Sequence, residues 1–140
     1  MESLKERAQV LKQTADEVKK WQEVKQNLFI PEQSDTTLIP VIFEWVEEIC
    51  QTNQSIDTFK YDPKHYFLLC VMFLYAPRTM VGENMNDGIR DVVAEVLKIS
   101  SSHVSNSCAT VREWFFIYRD LEQSLTYLYC EIKERLKGYE

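Results

Sequence analysis

Apolar positions along this chain fall into helical spacings almost from end to end. Between residues 2 and 28, Leu4, Leu11 and Val18 recur every seven residues, and Ala8, Val10, Ala15, Trp21, Val24 and Leu28 widen the stripe. No glycine or proline interrupts this stretch, so one long amphipathic helix is predicted, at the lower length limit of a coiled-coil repeat. Such a helix either packs back on its own domain or forms an arm for dimerisation or partner binding. Its remaining face, rich in Lys, Glu and Gln, is a solvated surface. Phe29-Ile30-Pro31 ends it, because the residue before a proline is pushed out of helical geometry. Glu32 to Thr37 reads as a polar connector. A helix with Pro40 in its first turn follows, carrying Leu38, Ile42, Trp45, Val46 and Ile49 as its buried stripe. Gln51 to Asp62 is polar and loop-like, with Ile56 and Phe59 as anchors. Asp62 then caps, and Pro63 opens, a helix whose run from Tyr66 to Ala76 is apolar on every side. A helix of that kind must be surrounded by others, which makes it the expected central strut. Pro77 stops it, and Arg78 to Gly88 is a loop rich in turn residues.

Two helices joined by a tight polar corner come next, over Ile89 to Val111. Ile89, Val92, Val93, Val96 and Leu97 line the first. Val104, Cys108, Val111, Phe115 and Tyr118 line the second, which extends to Ile117. The corner, Lys98-Ile99-Ser100-Ser101-Ser102, supplies a serine hydroxyl for the exposed amides of the new helix. Two short helices crossing steeply in this way form a helix-turn-helix pattern, in which the second helix is offered to the major groove of DNA. Asp120, with Gln123 three residues on, starts the last helix in a capping-box pattern. Leu121, Leu125, Leu128, Ile132 and Leu136 line its inner face, and Lys133, Arg135 and Lys137 suit the dipole at its end. The expected fold is all-α: a helical bundle of about six helices. Residues 1–30 form an N-terminal arm, and residues 38–140 form a helical domain with the helix-turn-helix at 87–118.

Composition narrows the class. With 45% hydrophobic residues, three glycines and four prolines in 140 residues, neither a disordered chain nor a turn-rich β fold fits. The start, MESLKERAQV, is too polar for a secretory signal. The longest apolar run falls well short of the roughly 20 residues that span a bilayer, so no membrane association and a cytoplasmic location are expected. The four cysteines form no CxxC pair, and three sit on apolar stripes, which suits buried, reduced thiols. The net charge of −6 is awkward for a nucleic-acid binder. The excess acid lies mostly in residues 1–59, with six Lys/Arg against eleven Asp/Glu. The half with the helix-turn-helix pattern, at ten against eleven, is near neutral.

No constellation for catalysis is present, and the chain is expected not to be an enzyme. His65 and His103 lie in different elements without a carboxylate or cysteine at ligand spacing, and His65 reads as capping or lining the central helix. GxxxxGK[ST], GxGxxG and GxSxG are all missing. No cofactor and no metal are expected.

With Val104, Cys108, Val111 and Phe115 inward, a rotation of about 100° per residue turns Ser102, Asn106, Ala109 and Glu113 outward and leaves His103, Ser105 and Thr110 on the flanks. Asn pairs bidentately with adenine, and Ser, Thr and His reach base or phosphate edges. Arg90, Lys98 and Arg112 are the nearest phosphate contacts. Ser102 to Cys108, S-H-V-S-N-S-C, resembles the S-T-V-I-H-A-C signature core of the DnaA C-terminal DNA-binding domain, a relative of the Trp repressor. The similarity in helix order covers roughly residues 62–137. It implies that architecture, with Ser102 and His103 at positions that face DNA; no nucleotide-binding motif is present, so initiator activity is not implied, and the expected role is regulatory or replication-associated, of the kind met in phages and mobile elements. Ser100 and Ser101 replace the family's acidic residue and histidine, His103 replaces its threonine, and the arginine of its basic loop has no counterpart. The DNA-contacting set is therefore Arg90, Lys98, Ser101, Ser102, His103, Ser105, Asn106, Thr110 and Arg112. The expected partner is duplex DNA, with a homodimer through residues 2–28 placing two reading helices about one duplex turn apart. The competing expectation is a helical adaptor or assembly protein that turns the same scaffold toward a protein partner. The acid surface, the arginine-free corner and the heptad arm point that way.

Overall fold

A computed structural model describes residues 3–52 and 59–139, with residues 24–28 described as backbone alone; Ile56 lies outside them. The described residues are all-helical, with no strand. The helices are α1 (Leu4–Leu28), α2 (Ile39–Thr52), α3 (Pro63–Tyr75), α4 (Asp87–Leu97), α5 (Ser101–Ile117) and α6 (Arg119–Lys137). The chain divides into two compact units, Met1–Ile30 and Pro31–Glu140. In the first, every residue of α1 from Leu4 to Glu23 is exposed, the apolar ones included.

The second unit is built around α3, which packs against α2, α4, α5 and α6 in turn. Tyr66 to Met72 are buried without interruption, so every side of the helix meets a neighbour. Burial on all sides stabilises in proportion to apolar area, about 25 cal/mol per Å². Ile39, Ile42 and Val46 of α2, Val93 and Leu97 of α4, Val104 and Val111 of α5, and Leu121, Leu128 and Ile132 of α6 close around it. Two tyrosine hydroxyls of α3 find partners inside. The Tyr66 hydroxyl lies 2.7 Å from Ser124 Oγ. The Tyr75 hydroxyl, pushed above its usual pKa by burial, donates to the Asp35 carbonyl at 2.8 Å.

Local signals account for most helix ends. Asp62 accepts from the Lys64 amide at 2.9 Å and Pro63 occupies the first turn, so α3 begins where its cap directs. Thr36–Leu38 and Pro77–Val81 form single 3₁₀ turns within stretches expected to be irregular. Gly82 follows the second with φ +98°, a left-handed conformation that a side chain would oppose. The last helix starts at Arg119, one residue before the expected position, without the capping box. The Tyr118 amide is held by the Trp114 carbonyl at 2.8 Å, so only Tyr118 separates α5 from α6. Asp120 instead accepts from the Leu121 amide and the Tyr61 hydroxyl. Phe59 anchors its segment by packing edge-on against Tyr66, with ring centres 5.4 Å apart. Cys50, Cys70 and Cys108 are buried free thiols, and Cys130 is exposed. Burial pushes Cys50 and Cys108 up to about 11. No described helix is long and apolar enough to cross a membrane.

Candidate functional site

The corner between α4 and α5 is held by backbone bonds that its sequence permits. The Lys98 amide returns to the Glu95 carbonyl and the Ile99 amide to that of Ala94, at 3.3 and 3.0 Å, the two bonds of a Schellman end. This geometry puts Lys98 at φ 58°, the one positive φ outside glycine among the described residues. Ile99 turns into the core. Ser100 then caps α5, its hydroxyl accepting from the His103 amide at 3.1 Å. The Ser101 hydroxyl donates to Asp91 at 3.1 Å and ties the start of α5 to α4. Ser100 and Ser101 therefore hold the corner together through their hydroxyls; Ser100 and Ser102 are exposed and Ser101 is partly covered.

The expected outer ridge of α5 divides into exposed and engaged groups. Ser102, His103, Asn106, Ala109, Thr110 and Glu113 are exposed, Ser105 is partly covered, and Val104, Cys108 and Val111 are buried beneath them. The Thr110 hydroxyl donates back to the Asn106 carbonyl at 3.1 Å. Of the three expected phosphate contacts, Arg112 sends Nη1 to the Thr79 carbonyl at 2.9 Å, fastening α5 to the turn after α3. Arg90 pairs with Asp87 at 2.6 Å, and its Nε is buried with no hydrogen-bond partner among the described residues. Lys98 is exposed and in no ion pair among the described residues, but Asp91, Glu95 and Glu113 are exposed on the same two helices. The corner is consequently not a concentrated basic surface.

The structure also joins what the sequence separates. His65 of α3 and His103 of α5 line one open cleft of about 200 Å³ with Asn106, Ser107, Thr110 and Val111. His65 Nδ1 is buried without a hydrogen-bond partner among the described residues, and its ring meets Trp114 edge-on at 5.0 Å. Two histidines without further donors make a poor metal site, and no group of three or more His, Cys, Asp or Glu is placed for one among the described residues. At its other end α5 exposes Phe116, at 69%, and Ile117, beside an apolar groove of about 240 Å³ floored by Phe73, Phe115, Leu125 and Tyr129. Phe116 and Ile117 fall outside the expected seam of α5, and their consecutive apolar character was the available signal.

No protein-family model, characterised protein or solved structure matches the chain.

Proposed function

We propose that this protein is a non-enzymatic helical interaction module, an adaptor or assembly protein whose partner-binding element is α1. The observation that carries this reading is the exposed apolar stripe of α1, where Leu4, Leu11 and Trp21 are 82%, 64% and 74% exposed. An isolated helix of this length is marginal in water, and its stability normally comes from burying such a stripe. Leu4, Leu11 and Val18, all exposed and seven residues apart, define a continuous ridge with Trp21 on its flank, the usual form of a helix that docks on another. Backbone hydrogen exchange on the purified full chain tests the proposal. Amides of α1 should exchange orders of magnitude faster than those of α3. Protection of α1 as strong as that of α3 would show its stripe already covered and would sink the proposal.

A second reading keeps duplex DNA as the partner, with α5 as the reading helix. The exposed Ser102, His103, Asn106 and Thr110 favour it, as does the resemblance of Ser102 to Cys108 to the DnaA signature. The engaged Arg90 and Arg112, and the acids around Lys98, weigh against it. Fluorescence anisotropy with random duplex at low and moderate salt separates the two readings. DNA contact predicts salt-sensitive binding that is lost when Lys98 and Asn106 become alanine while the helical content is unchanged.

A further inference from the structure

Resting on the interaction-arm reading, we propose that α1 docks an acidic amphipathic helix of a different protein, and not a second copy of itself. Leu4, Ala8, Leu11, Ala15 and Val18 follow one another in alternating steps of four and three, the spacing of a coiled-coil seam, and all five are exposed. With Ala8 and Ala15 at a and Leu4, Leu11 and Val18 at d, the charges sort by position. Lys5, Lys12 and Lys19 all fall at e. Arg7, Thr14 and Trp21 fall at g, so between Leu4 and Glu23 neither flank carries an acid. The acids Glu6, Asp16, Glu17 and Glu23 occupy b, c and f, away from the seam.

This arrangement decides between occupants. In a parallel pair, e faces g of the partner strand, which sets Lys12 against Arg7 of the other copy. In an antiparallel pair, e faces e, which sets these lysines against one another. Self-association thus places like charges along the seam in either direction, and the alanines supply little apolar area to offset them. A partner helix with leucine or isoleucine on its seam and glutamate or aspartate on its flanks meets Lys5, Lys12, Lys19 and Arg7 with opposite charge. It also fills the space that Ala8 and Ala15 leave for a close approach. The same flank selects against basic helices, so specificity comes from repulsion as well as attraction.

The test uses the full chain and three fluorescent helical peptides of about three heptads, each with a leucine seam and with glutamate, glutamine or lysine on both flanks. The glutamate peptide should bind about tenfold or more tightly than the lysine peptide, with the preference shrinking as salt rises. The triple substitution Lys5→Glu, Lys12→Glu and Lys19→Glu should reverse that order, and Leu11→Asp should weaken binding of every peptide. Equal binding of all three peptides overturns the charge assignment and leaves the interaction arm standing. Binding of none of them, with α1 amides protected in the unbound chain, removes both. A concentration-dependent dimer in sedimentation, abolished by Leu11→Asp, would name a second copy as the occupant and overturn the proposal.

Discussion

The helices α1 and α3 are both free of interior glycine and proline, yet they arrange their apolar side chains in opposite ways. In α3 the apolar residues surround the axis, and each side packs against a different helix of the second unit. Among the described residues of α1 most apolar side chains lie along one exposed ridge with lysines on one flank, and Val10 sits off it. The distribution of apolar area around a helix, more than its total, sets how many neighbours are needed to cover it. A helix apolar on all sides needs several neighbours at once, which a folding domain supplies. A helix with one narrow ridge needs a single neighbour, and a partner helix is enough.

The largest expected effect puts this contrast to a direct test. Leu69 in α3 is fully buried, so Leu69→Ala should cost about 2–5 kcal/mol of unfolding free energy through lost transfer and a residual cavity. Leu11→Ala in α1 removes the same atoms from an exposed site and should change stability by less than about 0.5 kcal/mol. Urea denaturation of the full chain measures both. Equal costs would mean that α1 is part of the cooperative core, and the contrast would vanish.

The corner between α4 and α5 offers effects of intermediate size. Ser100→Ala removes the hydroxyl that caps α5 and should cost about 1 kcal/mol. Lys98→Gly should instead stabilise, by about 0.5–1 kcal/mol, because glycine adopts φ 58° without strain. The pair also separates fold from recognition. If Lys98 contacts a polyanion, Lys98→Gly weakens that contact while raising the midpoint of unfolding. Similar in size is Tyr66→Phe. Ser124 Oγ lies within donating distance of the Asp120 and Leu121 carbonyls, so the Tyr66 hydroxyl is the donor to Ser124. Its removal leaves Ser124 still donating, and the expected loss is about 0.5–1.5 kcal/mol in the same urea titration. A loss near that of Leu69→Ala would show that this hydrogen bond, and not apolar packing, dominates around α3.

These sites also show what was legible before the fold was known. The apolar encirclement of α3, its Asp62 cap and Pro63 start, and the serine cap of α5 were readable because each is set by residues within a turn of one another. The roles of Arg112 and Arg90 were not. Arg112 reaches the Thr79 carbonyl, a partner distant in sequence, and the Arg90 pair with Asp87 is one of several pairings its sequence neighbours allowed. The shared cleft of His65 and His103 was equally hidden, since it exists only where α3 and α5 cross. The capping box at Asp120 failed for a related reason. Its spacing was correct, but the Trp114–Tyr118 bond fixed the preceding residue and gave Asp120 other partners. Short-range chemistry wrote the helices, and long-range pairing decided which charges remain exposed.

The smallest effect concerns charge and depends on pH. Glu32, at the start of the second unit, receives Lys133 Nζ at 3.0 Å and the Tyr129 hydroxyl at 2.9 Å. The Lys133 contact chiefly holds its carboxyl below the usual value; partial burial opposes this, and the Tyr129 bond adds to the lowering. A depressed folded-state pKa stabilises above the unfolded value, near 4.3, and that stability is lost as pH falls through the folded value. Both side chains are about half exposed, at 44% and 51%, so solvent screening limits the effect to a few tenths of a kcal/mol. Glu32→Gln should therefore be slightly less stable than the parent at neutral pH and should converge with it as acid protonates the folded carboxyl. Parallel pH profiles of the two unfolding midpoints would mean that Glu32 contributes nothing through its charge.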